Sequence, residues 1–317
     1  MNAFSHLFGR EPAQPALLPV IKRAVDGVEP LLRQAGGYPN AYREPIRSAL
    51  EYARSLADQV PGPVTVSRET YAGDPLVHAL FPSVESVSEA LDSSVALQKH
   101  LREFPADGEL YALMGMRRIE KRVAGMRMSG QMVQRDVMQD MVYFTSHTIE
   151  SPAASEADAR ERVALNFFDR LVEKVAQRIA QRKREKQSLL QEKDTLMMRL
   201  RMADEGSRPV LQERLTRLLA KLQDAIGALE LDRYREDFDA VLLDPARHLR
   251  LDQTPIRLDG MGIRRDDAAE SHGKTVVFDD LIGYDRRNWT VTMVRCTGLQ
   301  YEEFASRLER AYRTLTV

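Results

Sequence analysis

The sequence predicts a mainly α protein. It is expected to hold a multi-helix body, a long antiparallel helical hairpin with coiled-coil spacing, and a small C-terminal α+β unit. Three observations predict this. Apolar residues recur at alternating steps of three and four from Phe168 to Leu229. Proline and glycine punctuate the first 150 residues at helix-length intervals. The last 65 or so residues switch to alternating β-branched and aromatic positions. The 317 residues are 43% hydrophobic and 29% charged, enough apolar material for a true core in about two domains. The expected segments are 1–150 for the helical body, 151–243 for the hairpin and 244–317 for the α+β unit.

The helical body opens with a helix from about Leu17 to Gln34, stopped by Gly36-Gly37. A second runs from about Ala41 to Gln59, with Ile46, Leu50, Ala53 and Leu56 on one face. Pro61-Gly62-Pro63 breaks the chain, and Val64-Thr65-Val66 reads as extended. Asp74-Pro75 opens a short helix through Leu80. Ser86 to Glu89 has capping-box spacing for a helix ending near Phe104. A long helix is then expected from about Gly108 towards Thr148, carrying seven of the 13 methionines. Its internal Gly115, Gly125 and Gly130 each cost about 1 kcal/mol against alanine, which places a kink or break near Ser129-Gly130. The methionines read as gap-filling core, interleaved with Val123, Val133 and Val137.

The hairpin begins at Ser155 with Asp158 and extends to about Ala203, some 65 Å at about 1.5 Å per residue. Asp204 to Pro209 turns the chain. The return helix sets Leu211, Leu215, Leu218, Leu222, Ala225 and Leu229 against it. In the final segment, residues 254–258, 274–278 and 289–294 read as strands, and a last helix runs from about Leu299 to Leu315.

Charge is balanced over the chain, with 46 basic and 47 acidic residues, but not along the hairpin. Residues 162–203 hold 11 basic and five acidic groups, whereas 223–243 hold two and six. If Leu200 faces Leu211, the basic run Arg178 to Lys186 lies beside Asp224 to Asp237. A charge-registered hairpin follows, rather than a basic nucleic-acid body. Strict continuation of the seam places Arg182, Lys186 and Lys193 on it. Polar seam residues weaken a helix pair, so these three mark an expected partner-binding surface.

The chain carries no P-loop, no His-Glu-x-x-His and no nucleophile elbow, and Gly260-Met261-Gly262 lacks the third glycine of a dinucleotide loop. Cys296, the single cysteine, ends a β-branched strand and reads as a buried inert thiol. On the expected methionine helix, Asp136, Asp140 and His147 fall at spacings of four and seven, a weak metal-binding candidate against a solvated face. Arg286 and Arg287 beside Trp289 form a second candidate, able to hold an anion or a partner, against an ordinary charged turn.

The function expected is that of a non-enzymatic scaffold or adaptor with a protein partner or self-association, without a cofactor, located in the cytoplasm. No signal sequence and no membrane-spanning apolar run is visible, and Phe4, Leu7 and Phe8 form a short apolar face. Two alternatives stand beside it. One is nucleic-acid association through Arg117, Arg118, Lys121 and Arg122 or the 182–186 run. The other is an enzyme whose site joins His147 or Asp140 to His272 or Asp279.

Overall fold

The computed structural model describes residues 14–34, 36–104, 109–129, 132–227, 229–265, 273–283 and 288–299. Two compact units form. One joins Met1–Tyr52 to Phe167–His248, the other Ala53–Asn166 to Leu249–Val317.

The first unit is helical. It contains α1 (Gln14–Val28), most of α2 (Arg43–Gln59), α7 (Glu156–Met202) from Phe167 onward, α8 (Arg208–Gly227) and α9 (Leu231–Leu242). Its core follows the expected periodicity. Ile21 and Val25 of α1, Ile46 and Ala49 of α2, and Phe168, Leu171, Val175 and Ile179 of α7 are buried. Phe238 of α9 meets Tyr42 edge to face, with ring centroids 5.1 Å apart. At 47 residues, α7 is about 70 Å long. Beyond the bundle it continues as the outgoing arm of the expected hairpin, and α8 returns beside it.

The second unit overturns the mainly α class. The expected methionine helix is two long strands, β2 (Leu110–Ser129) and β3 (Met132–Ala153), paired antiparallel along nearly their whole length. They belong to a six-stranded sheet with β1 (Val64–Val66), β4 (Arg250–Leu258), β5 (Lys274–Ile282) and β6 (Asn288–Cys296). The order is β3-β2-β6-β5-β4, and β1 joins β6 in the single parallel pairing among the described residues. The three C-terminal strands fall where the alternation placed them, but they are partners of β2 and β3 rather than a separate small unit. The last expected helix, 299–315, lies outside the described residues from 300 onward, as do Phe4, Leu7 and Phe8.

The physical reason for the misreading is visible in β2. Residues 112–116 are buried on both faces, while 117, 120–122, 124 and 126 are exposed. Between Leu110 and Met116 the strand is sandwiched between β3 and β6. Past Met116 it pairs with β3 alone. Neither stretch has one wet and one dry face, so the two-residue alternation that reveals a strand is erased.

The ends of the sheet meet through the turn after β4. Ile263 bridges to Met141 of β3 and Arg264 to Leu258 of β4. Val142 N–H donates to the Gly262 carbonyl at 2.8 Å, and Arg264 N–H to the Asp140 carbonyl at 2.8 Å. The hydrogen-bond circuit therefore closes locally, at residues 140–142 of β3 and 257–258 of β4, and covers that stretch of the two end strands. Gly262 is required there. Its φ is +74°, and a Cβ would stand 2.8 Å from the Val142 carbonyl oxygen.

The inner face carries Ala112, Met114, Met116, Val142, Phe144, Ile256, Leu258, Phe278 and Val294. Against it pack residues of α3 (Arg68–Gly73), α4 (Pro75–Leu80), α5 (Val84–Asp92) and α6 (Val95–Glu103), including Val77, Leu80, Val87, Leu91 and Leu97. Where one helix was expected to start at Ser86, two form. Ser83 caps α5, with Ser86 completing the box from inside the helix, and Ser94 caps α6.

Candidate functional site

The second unit contains a cleft of about 690 Å³, within the size range of small-molecule sites. One wall is α3 and α4 with the chain that follows, contributing Tyr71, Gly73, Asp74, His78 and Phe81. The other is the mouth of the closed sheet, with Met141 to Phe144 of β3, Leu258 to Gly262, and Lys274 and Val276 of β5. Most of this lining is apolar or aromatic. Strand alternation sets the rest: Phe278 is buried on the inner face and Val276 packs against it, so Lys274 stands on that same face at the rim.

The charged groups around the cleft differ in how they are engaged. Asp74 caps α4, accepting from the N–H groups of Leu76 at 2.8 Å and Val77 at 3.4 Å. Asp259 organises the turn. It accepts from the N–H groups of Met261 and Ile263 and from the Arg265 guanidinium at 2.7 Å. Tyr71 donates its hydroxyl to the Pro82 carbonyl at 3.2 Å and lays its ring against His78, centroids 5.1 Å apart. The Gly260-Met261-Gly262 segment is thus a tight Asp-ordered turn.

Behind the cleft, Phe81 stacks on His147 at 4.5 Å, with the rings 13° from parallel. The His147 Nε2–H donates to the Leu80 carbonyl at 2.8 Å, with the tautomer assigned from that contact. Burial holds His147 below the usual imidazole value of 6.5, against the opposing pull of the Leu80 hydrogen bond. The left-handed Ser146 (φ 54°) re-phases β3, which brings His147 and Ile149 round to the side that Val142 and Phe144 hold earlier in the strand.

The expected metal set does not assemble. Asp136, Asp140 and His147 lie on a strand, so spacings of four and seven no longer align them. Asp140 is paired with Arg122 at 3.2 Å, and His147 is held by Leu80. Among the described residues, no group of three or more His, Cys, Asp or Glu side chains is placed to hold a metal ion. Asp279 accepts from Gln253 at 3.2 Å, and burial raises its carboxyl above the usual 3.8. His272, Arg286 and Arg287 lie outside the described residues. Trp289 is half-buried in β6, where it lies 3.6 Å from the Cβ position of Gly115. Cys296 is buried, and burial pushes its thiol up to about 12. Of the basic group expected to meet nucleic acid, Arg118 turns inward to Asp280 at 2.8 Å and Arg122 is taken by Asp140.

In the first unit, Arg178 and Arg182 both reach the fully buried Asp237, each at 3.0 Å, and Lys183 reaches Glu29 at 2.7 Å. The hydrogen bond to Lys183 holds Glu29 below the usual carboxylate value. Lys186 and Lys193 occupy seam positions and are half-buried, and Lys193 contacts Asp194 at 3.3 Å. Further out, Leu196, Leu218 and Leu222 bury the seam. The two edges flanking it are unlike. One carries the Glu192–Arg214 ion pair at 2.8 Å. By the same heptad, the other is lined by Leu190 and Met197 of α7 and by Gln212, Leu219 and Ile226 of α8. Met197, Leu219 and Ile226 are 39%, 46% and 48% exposed. Sequence reasoning followed the seam and its charges and passed over this uncharged edge, although the one-residue offset from each seam leucine was readable.

No protein-family model matches this chain, and neither the curated proteins nor the solved structures contain a match. Among the described residues, no helix is long and apolar enough to cross a membrane.

Proposed function

We propose that the protein is a non-enzymatic adaptor that seats a helix of a partner protein along the uncharged edge of the α7–α8 hairpin. The observation that carries this reading is the difference between the two edges. An isolated antiparallel pair in water is expected to flank its seam with charge on both sides, as Glu192 and Arg214 do on one. Leu190, Met197, Leu219 and Ile226 instead line the other edge with large apolar side chains, and Thr216 and Gln223 extend the uncharged surface. A third helix with an apolar stripe would cover this edge and make a three-helix layer. Lys186 and Lys193 would offer the partner cationic contacts on the seam, while Arg182 is engaged by Asp237.

The test is quantitative recovery of partners from nuclease-treated lysate, comparing the native chain with Leu219→Glu/Ile226→Glu and with Arg214→Glu/Lys221→Glu on the charged edge. The apolar-edge variant should lose specific partners that the charged-edge variant keeps, with helicity unchanged in both. Equal recovery by all three chains refutes the reading. Recovery that disappears with nuclease favours nucleic-acid association instead. Loss of self-association as the sole effect identifies the partner as a second copy.

A further inference from the structure

We propose that the cleft of the second unit binds a small organic anion, an apolar body ending in one negatively charged head. The volume, about 690 Å³, suits one compact ligand. The body would lie among Tyr71, Phe81, Met141 and Val276, where burial of its carbon surface supplies most of the affinity.

The charge of the head follows from which groups are already engaged. Of the two carboxylates on the lining, Asp259 accepts from two turn N–H groups and is paired with Arg265, and Asp74 is committed through one oxygen to two helical N–H groups. On the other side, Lys274 stands on the inner face at the rim and has no carboxylate within ion-pair distance among the described residues. The His78 ring is on the opposite wall of the lining, its flank against Tyr71. An anionic head would gain a charge-assisted hydrogen bond from Lys274. A cationic head would meet that lysine's repulsion. This inference stands apart from the adaptor reading, since the hairpin belongs to the other unit.

The experiment uses the full chain and the fluorescent anion 1-anilinonaphthalene-8-sulfonate as the probe, with octanoate, octan-1-ol and octylammonium as competitors. The native protein should bind the probe saturably. Octanoate should displace it at concentrations at least about tenfold below those needed for octylammonium, with octanol between them. Lys274→Gln should weaken the probe and octanoate about five- to tenfold and leave octanol unchanged. Leu219→Glu/Ile226→Glu should leave all of these values as they are, which separates cleft binding from probe bound on the hairpin. The proposal is overturned if the folded protein binds no probe, if octylammonium competes as well as octanoate, or if Lys274→Gln binds like the native chain.

Discussion

Replacing Arg118 by methionine tests whether the interior of the closed sheet is organised by one buried ion pair. Asp280 is buried, and the bonds to its carboxylate come from three other strands, β2, β4 and β6. Thr290 donates to one oxygen at 2.7 Å and Thr254 to the other at 2.8 Å. The Arg118 Nη1 spans both, at 3.1 and 2.8 Å. At about 2.8 Å and an effective dielectric of about 20, the attraction is about 6 kcal/mol before desolvation is counted. Methionine fills much of the same volume but leaves the carboxylate without its cation, and stranding a buried charge in this way costs about 3–5 kcal/mol. Asp280→Asn should cost less, about 1–3 kcal/mol, because the amide keeps an acceptor for one threonine and the arginine retains some access to water. The double variant should then cost less than the sum of the two by at least about 1 kcal/mol. Urea unfolding is read by Trp289, the one tryptophan, which lies in β6 opposite Leu281 of β5. Labelling of the buried Cys296 thiol reports opening of the same sheet from the far end of β6. A loss of about 4 kcal/mol lowers the urea midpoint by more than about 1 M. The reasoning is refuted if Arg118→Met costs under about 1 kcal/mol, or if the two substitutions simply add.

Two further outcomes follow from the same unit. Burial holds His147 and His100 below 6.5 in the folded chain, so between their folded and unfolded values the unfolded state binds more protons and stability rises with pH. Stability should therefore be complete above about pH 7 and decline as the pH falls through 6.5, and His147→Gln should flatten the slope of thermal midpoint between pH 7.5 and 5.5. A slope identical to that of the native chain would remove His147 from the account. Gly262→Ala forces a side chain into a left-handed backbone, about 1–2 kcal/mol, and against the Val142 carbonyl oxygen 2.8 Å away. The Val142 N–H should lose hydrogen-exchange protection, whereas Gly260→Ala, with open space at its Cβ, should leave it protected. Equal protection in both variants would mean that the circuit does not depend on that glycine.

What was legible in the sequence divides along the two units, for a physical reason. The helical unit buries one face of each helix, so three-and-four spacing survives in the residues, and α2, α7 and α8 begin and end close to the expected positions. The register of the charges was readable too. Arg178 and Arg182 meet Asp237, within the acidic stretch expected opposite them, although Asp237 stands on α9, a separate helix beyond the α8 seam. In the sheet unit, β4, β5 and β6 were found from β-branched alternation, but β2 and β3 were not. Their methionines, arginines and glycines fit neither period, since β2 is buried on both faces at one end and exposed at the other. The glycines at 115 and 125 were the available signal. Read as costly positions inside a helix, they in fact sit where a Cβ would press on Thr148 and Gln139 across the ribbon. The cleft was illegible because its walls come from four separate stretches that only the closure of the sheet brings together, and that closure rests on single backbone contacts of Gly262 and Arg264.

The fate of Arg182 decides where a partner surface on the hairpin must be sought. A basic seam residue invites the inference of an unsatisfied cation awaiting an acidic partner. Here the partner is internal: Asp237 is fully buried and draws both Arg178 and Arg182. Removing either arginine alone leaves the other on that carboxylate, so charge at this level of α7 serves register more than recognition. On the proposed adaptor reading, recognition then falls to surface that the chain does not satisfy itself. On the hairpin that surface is apolar and lies one heptad position away from the seam, at Met197, Leu219 and Ile226. Large apolar groups in a line on a helix pair expose carbon to water at about 25 cal/mol per Å², a cost that covering helical surface would recover. The same reasoning gives the order of effects. Glutamate at 219 and 226 should weaken a partner complex strongly, whereas neutralising Arg182 should act on the stability of the helical unit and reach the complex only through it.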